Sequence, residues 1–159
     1  MSPVDFNRMT LSEFVRESNR IEGILRDPFD AELDAHDDFL LRSSISIPTL
    51  QKFVSIVAPG KRLRDRQGMD VQVGNHIAPR GGSNIRSELE SLLMRANTGI
   101  HPWKIHLEYE TLHPFMDGNG RSGRALWLWM MSQSGQLNRA LKLGFLHSFY
   151  YQTLDNIGR

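Results

Sequence analysis

A mainly α domain with one small β-hairpin is the fold class this sequence predicts, and three observations predict it. Apolar residues recur at helical spacing through most of the 159 residues, in segments bounded by start and stop signals. One stretch, Lys61 to Gly74, changes to strict alternation. The run Ala125-Leu126-Trp127-Leu128-Trp129-Met130-Met131 is apolar on every side of a helix, which suggests a helix buried at the centre of a bundle.

Taken in order, Thr10-Leu11-Ser12-Glu13 reads as a capping box opening a first helix over 10–23, with Gly23 as its stop. Leu11, Phe14, Val15 and Ser18 share one face, and four residues further on that face reaches Glu22. A carboxylate on a core-facing stripe needs a cation or a hydrogen-bond donor, because burying it bare is costly. Arg124 is the obvious candidate. From Asp27 to Asp38 there are six acids and no Lys or Arg, which reads as a solvated helix face opposite Leu33 and the apolar residues between Ala35 and Leu41. Ser46 to Val57 is a further helix, with a cap-like serine, Pro48 in the first turn and Ala58-Pro59-Gly60 as the stop.

In Lys61 to Gly74, Met69, Val71 and Val73 alternate with Asp70 and Gln72 as in a half-buried strand. Asp65 to Gly68 offers a turn after the short Arg62-Leu63-Arg64 arm, so these two arms are expected to form the hairpin. Residues 60–86 hold six Lys/Arg and two Asp, a local +4 that would attract an acidic segment or phosphates. After Gly81-Gly82-Ser83 a helix follows with Ile85, Leu89, Leu92, Leu93 and Ala96 inside, closed by Asn97-Thr98-Gly99. Pro102 starts the next, whose stripe Ile105, Tyr109, Leu112 leads into His113. His106 on that helix is expected to pack or hydrogen-bond in the core rather than bind a metal. Beyond Ser134-Gly135 the chain resumes as Leu137 to Leu146 and a last helix through Tyr150-Tyr151 and Leu154.

The chemistry concentrates in His113-Pro114-Phe115-Met116-Asp117-Gly118-Asn119-Gly120-Arg121-Ser122-Gly123-Arg124. Pro114 steers His113 away from the α region, so the preceding helix ends and the imidazole stands on a loop. Gly118 and Gly120 flank Asn119 and let consecutive backbone N–H groups face one point where the buried helix begins, a ready anion site. Arg121 and Arg124 follow in the first turns, where the macrodipole disfavours cations, so a bound anion is expected to compensate them. Asp117 offers a hard oxygen suited to a hydrated magnesium shared with substrate phosphates. No Gly-Lys-Ser/Thr follows the glycines, which rules out a P-loop.

His113 to Arg124 resembles the complete signature of Fic-domain (Fido) proteins, His-x-Phe-x-Asp/Glu-Gly-Asn-Gly-Arg-x-x-Arg, with every fixed position filled. The resemblance implies a Fic-type helical bundle with a hairpin flap. It also implies magnesium-dependent transfer of AMP from ATP onto a Ser, Thr or Tyr hydroxyl of a target protein. In that reading His113 is the general base, Asp117 holds Mg2+, and the amides of Gly118, Asn119 and Gly120 cradle the phosphates. Arg121 would help hold them and Arg124 would take the γ-phosphate. A flap comprising Met69, Asp70, Val71, Gln72 and Val73 would dock the target segment by strand pairing. Ser18-Asn19-Arg20-Ile21-Glu22-Gly23 further resembles the Ser/Thr-x-x-x-Glu-Gly/Asn inhibitory motif of one class of the family, in which the glutamate pairs with the second motif arginine. The expectation is one Fic-like domain over 1–159, its helix 10–23 inhibitory. Two alternatives stay open: a nucleotide-binding regulatory module without useful turnover, and a metal-dependent phosphodiesterase using His113 and Asp117, including removal of AMP.

Composition narrows the setting. A net charge of +1 gives no case for nucleic acid or a membrane surface, and with no cysteine there is no disulfide or thiolate metal site. Neither a signal-type apolar segment nor a membrane-length run is visible, so a cytoplasmic, unprocessed protein is expected.

Overall fold

The computed structural model describes residues 3–143. Leu146, Tyr150, Tyr151 and Leu154, read above as the chain's end helices, lie outside the described residues. Within them the order is α1 (Pro3–Ile21), α2 (Asp30–Leu40), α3 (Ile47–Val57), β1 (Gln72–Val73), β2 (His76–Ile77), α4 (Ser83–Asn97), α5 (Pro102–Leu112), α6 (Asn119–Gln133) and α7 (Leu137–Leu143). The mainly helical class with one small antiparallel hairpin is the class expected. No helix among the described residues is long and apolar enough to cross a membrane.

The central helix is α6. Every residue from Arg121 to Met130 is buried, and α5, α7, α2, α1 and α3 all pack on it. Burial of large side chains such as Leu126, Leu128 and Trp129 contributes roughly 1.5–3 kcal/mol each, which makes α6 a stiff base for whatever its N-terminus carries. One core cluster joins α2 to α6 through Phe39, Leu50, Phe53, Leu89, Tyr109 and Trp129. A second lies on the other side, where Leu11, Phe14 and Val15 of α1 meet Trp127, Leu128 and Leu141.

Most helix ends follow the expected local chemistry. Ser46 caps α3 by accepting the Thr49 N–H at 3.4 Å, Pro48 stands in its first turn, and Ala58 N–H closes it on the Val54 carbonyl at 2.8 Å. The expected interior residues of α4, from Ile85 to Ala96, are all buried. His106 donates from Nδ1 to the Gly123 carbonyl at 2.9 Å in the core, as a structural histidine should.

Three expectations are corrected. The first helix starts at Pro3 rather than Thr10, because no breaker lies between them and a proline is well placed in a first turn. The Thr10-Leu11-Ser12-Glu13 segment is therefore interior helix. The acidic face of α2 is not wholly solvated: Glu32 and His36 are buried. Glu32 survives burial because Arg26 donates to it at 2.7 Å and the Phe29 N–H at 2.7 Å. Burial raises its pKa, but these donors outweigh that and hold it below the usual carboxylate range. Asn19 of α1 also donates to Glu32, at 3.3 Å, so this buried acid fixes α1 against α2.

The third correction concerns the hairpin. Its strands are Gln72–Val73 and His76–Ile77, paired Gln72↔Ile77 and Val73↔His76 around Gly74-Asn75. The Arg62-Leu63-Arg64 arm pairs elsewhere, with the motif itself: Leu63 bridges Phe115, Arg64 N–H donates to the Pro114 carbonyl at 2.8 Å, and Met116 N–H donates to the Arg62 carbonyl at 2.9 Å. A short arm with one buried apolar residue takes whichever partner covers it, and Phe115, fully buried, does so better than an exposed strand.

Candidate active site

The site is built where α5 stops and α6 starts. His113 caps α5 with left-handed backbone, φ 47° and ψ 65°. Its N–H still bonds back to the Tyr109 carbonyl at 3.0 Å. Its Nδ1 forms a short hydrogen bond with the Glu110 carbonyl. A carbonyl only accepts, so Nδ1 carries the proton and Nε2 is left as the acceptor. Burial is the main cause that lowers the His113 pKa; His76 and Arg64 lower it further, while the Glu110 carbonyl and Glu22 act in the opposite sense. The imidazole is thereby held neutral near pH 7, the form a general base needs.

The loop between the helices holds itself. Asn119 accepts the Phe115 N–H and donates to the Phe115 carbonyl, both at 2.8 Å, clamping the turn from inside. Ser122 Oγ donates to the Gly118 carbonyl at 2.7 Å, and Tyr109 OH, 2.7 Å away, gives its proton to Ser122. Gly118 takes φ 80° as the cap of α6, and a Cβ there would stand 3.0 Å from the Ala58 Cβ, so only glycine fits both the backbone and the gap. No side chain caps α6. Its first amides are therefore available to an anion.

A cleft of about 570 Å³ opens over this end of α6, lined by Glu22, Glu110, His113, Asp117, Gly120 and Arg124 and, on the hairpin side, by Val71, Gln72 and Val73. Its size is ordinary for a small-molecule or cofactor site. Asp117 is exposed there, one oxygen accepting the Gly118 N–H at 2.7 Å. Among the described residues no group of three or more His, Cys, Asp or Glu could cage a metal. A single carboxylate beside an anion site fits magnesium nonetheless, since that ion keeps waters and shares substrate oxygens.

Arg124 is fully buried and is gripped by the first helix and the turn after it. Its Nε donates to Ser18 Oγ at 2.7 Å, and its Nη2 to the Ser18 carbonyl at 2.9 Å and to Glu22 at 2.8 Å. Glu22 lies in the turn that closes α1, its N–H on the Asn19 carbonyl at 3.0 Å. Its carboxylate lies so close over Gly120 that a Cβ on that glycine would strike it. The anion that compensates Arg124 in this structure is Glu22.

The remaining sequence-derived candidates divide. Arg121 leaves the cleft: it is buried and donates in a short hydrogen bond to the Val57 carbonyl, serving the C-terminus of α3. Three residues apart on α6, the two arginines thus face different neighbours. Of the hairpin candidates, Val71 to Val73 line the cleft, whereas Asp70 accepts the Gly81 N–H at 2.9 Å and Met69 lines a separate groove with Lys61, Arg62 and Arg66. Sequence reasoning missed Glu110, His76 and Arg64. Glu110 could have been found by its spacing, three before His113 on the same helix. His76 stands 5.8 Å from His113 between ring centroids and contacts the Thr111 carbonyl at 2.9 Å; neither it nor Arg64 carries a sequence signal.

In comparison with known proteins, the model of the Fic/DOC family matches residues 31–131. No curated protein and no solved structure matches.

Proposed function

Because the chain belongs to the Fic/DOC family, a family of generally enzymatic transferases, we propose that it transfers AMP from ATP to a Ser, Thr or Tyr hydroxyl of a target protein, with magnesium, under restraint by Glu22. The observation that carries this reading is the cleft itself: a neutral imidazole with a free Nε2, an exposed carboxylate and an uncapped helix N-terminus line one cavity.

In this proposal the amides opening α6 at Asn119 and Gly120 receive the phosphates, joined by that of Gly118 when Asp117 releases it, and Asp117 would hold the cation. The magnesium would supply charge neutralisation of the α- and β-phosphate oxygens. His113 Nε2 accepts the proton of the target hydroxyl as its oxygen bonds to the α-phosphorus. The bond from that phosphorus to the α–β bridging oxygen breaks, and pyrophosphate leaves. Positioning and charge stabilisation account for the rate. Val71 to Val73, at the rim, would receive the target segment as an added strand. Arg124 would meet the γ-phosphate once Glu22 lets go of it. We read α1 and its closing turn as the inhibitory element of one domain over 1–159, with Ser18 orienting the arginine. Arg121 enters this scheme as a support of the loop, not as a phosphate ligand.

The test is incubation of wild type, Glu22→Gly and Glu22→Gly/His113→Ala with magnesium and α-labelled ATP, alone and with a cell lysate. Strong covalent labelling in Glu22→Gly, weak labelling in wild type and none in the double variant is the expected result. If all three bind ATP and none labels, a regulatory nucleotide-binding module replaces the transferase.

A further inference from the structure

Arg64 is fully buried, and its guanidinium is spent on main-chain carbonyls. Nε donates to the His113 carbonyl at 2.5 Å and Nη2 to the Leu112 carbonyl at 2.8 Å. Nη1 donates to the Met69 carbonyl at 3.0 Å and to the Pro79 carbonyl at 2.7 Å. The first pair of acceptors is the end of α5 and the histidine of the cleft. The second pair flanks the β1–β2 hairpin, one acceptor before it and one after it. The Arg64 main chain joins the same places, its N–H on the Pro114 carbonyl at 2.8 Å and its carbonyl accepting the Gly82 N–H at 2.9 Å.

A buried cation costs desolvation that an apolar residue of the same volume would not. What the guanidinium supplies in return is geometry: a rigid planar fork of five N–H donors that can hold several acceptors at fixed separations. Here it satisfies carbonyls that the last turn of α5 leaves without helical partners, at the end of the helix where the dipole favours a cation. It also ties down His113 in a left-handed conformation that a non-glycine residue keeps only when its surroundings over-determine it. Asp70 favours the cation electrostatically while accepting the Gly81 N–H at 2.9 Å, so no carboxylate displaces the four carbonyls.

We propose that Arg64 is a positioning residue for His113, one rigid fork that sets the separation between the imidazole and the base of the hairpin. The proposal rests on the reading of His113 as base and of the hairpin as the target's seat. A hydroxyl carried on a strand beside Val71 to Val73 then meets Nε2 at a distance fixed by Arg64 rather than by the hairpin's own two short strands. His76, through the Thr111 carbonyl, is the hairpin's second tie to α5.

Arg64→Met and Arg64→Lys, each made in wild type and in Glu22→Gly, test this. Methionine keeps the volume without donors; lysine keeps the charge without the fork. With far-UV circular dichroism unchanged, amide exchange from Val71 to Ile77 should quicken by on the order of tenfold. The Nδ1-protonated tautomer of His113, followed by imidazole nitrogen NMR, should lose its dominance. In the Glu22→Gly background kcat should fall by on the order of tenfold to a hundredfold, with KM for ATP within about twofold. Should Arg64→Met not fold, Arg64→Lys carries the same readouts. A folded variant with unchanged tautomer and unchanged hairpin exchange overturns the proposal. If the Glu22→Gly parent transfers no label, the transferase reading fails, and tautomer and exchange still decide the role of Arg64.

Discussion

The loop from His113 to Arg124 and the segment from Arg62 to Gly82 stand side by side, yet they are held in opposite ways. The loop closes on itself: Asn119 clamps Phe115 four residues back, Ser122 bonds to Gly118 four residues back, and each partner is buried. The hairpin segment closes on others. Its Leu63 pairs with Phe115, Arg64 reaches Leu112 and His113, His76 reaches Thr111, and its own sheet is two residues per strand. The turn from Phe115 to Ser122 is clamped from within, whereas His113 and the part that would receive a partner are held from outside, by Arg64 and a few other ties.

Four measurements would break or sharpen that contrast, the largest effect first. His113→Ala in the Glu22→Gly background should reduce label transfer by about 10²–10⁴-fold, with the thermal midpoint little changed, since His113 is only half-buried. Asn119→Ala should destabilise the whole domain by about 2–3 kcal/mol, because it strands a buried N–H and a buried carbonyl at Phe115. For a domain of this size that lowers the midpoint by roughly 5–10 °C in calorimetry. A smaller change would mean the turn leans more on its ties to Arg62, Leu63 and Arg64 than on this inner clamp.

Acid should act through the core. His36 and His106 are buried, and desolvation is the main cause holding their pKa values at about 4 and about 3, against an ordinary 6.5. Below pH 6.5 the unfolded chain takes up protons that the fold refuses, so stability present above that pH is lost on the way down through about 4. The slope is about 1.4 kcal/mol per pH unit for each histidine, measurable as urea midpoints at pH 7, 6 and 5. Replacing His106 by Gln should reduce that slope; an unchanged slope would remove His106 as a cause. The smallest effect belongs to the hairpin tip. Val73 and Ile77 are 56% and 73% exposed, so Val73→Thr/Ile77→Thr should move stability by less than about 0.5 kcal/mol, while labelling of lysate proteins falls if the tip receives the target.

The two arginines of the motif carry a related lesson. Spacing on a helix puts Arg121 and Arg124 on neighbouring positions, but each bonds to acceptors on a different element. For Arg121 that acceptor is the end of α3, through Val57, and for Arg124 it is Ser18 and Glu22. The Glu22–Arg124 pairing was legible, since a carboxylate in register with a buried face must find a cation. The departure of Arg121 was not, since nothing local announces a free carbonyl on a helix packed alongside.

What the sequence by itself determined is what local physics controls. The caps of α3, the interior faces of α4 and α5, the buried α6 and the glycine-bearing turn before it all follow from periodicity, caps and φ requirements within a few residues. Tertiary structure alone decided the partner of Leu63, the strands of the hairpin and the roles of Arg64 and His76. Those outcomes depend on which distant carbonyl or apolar surface is left open once the helices have packed, and a donor's reach toward such a group has no period for a sequence to display.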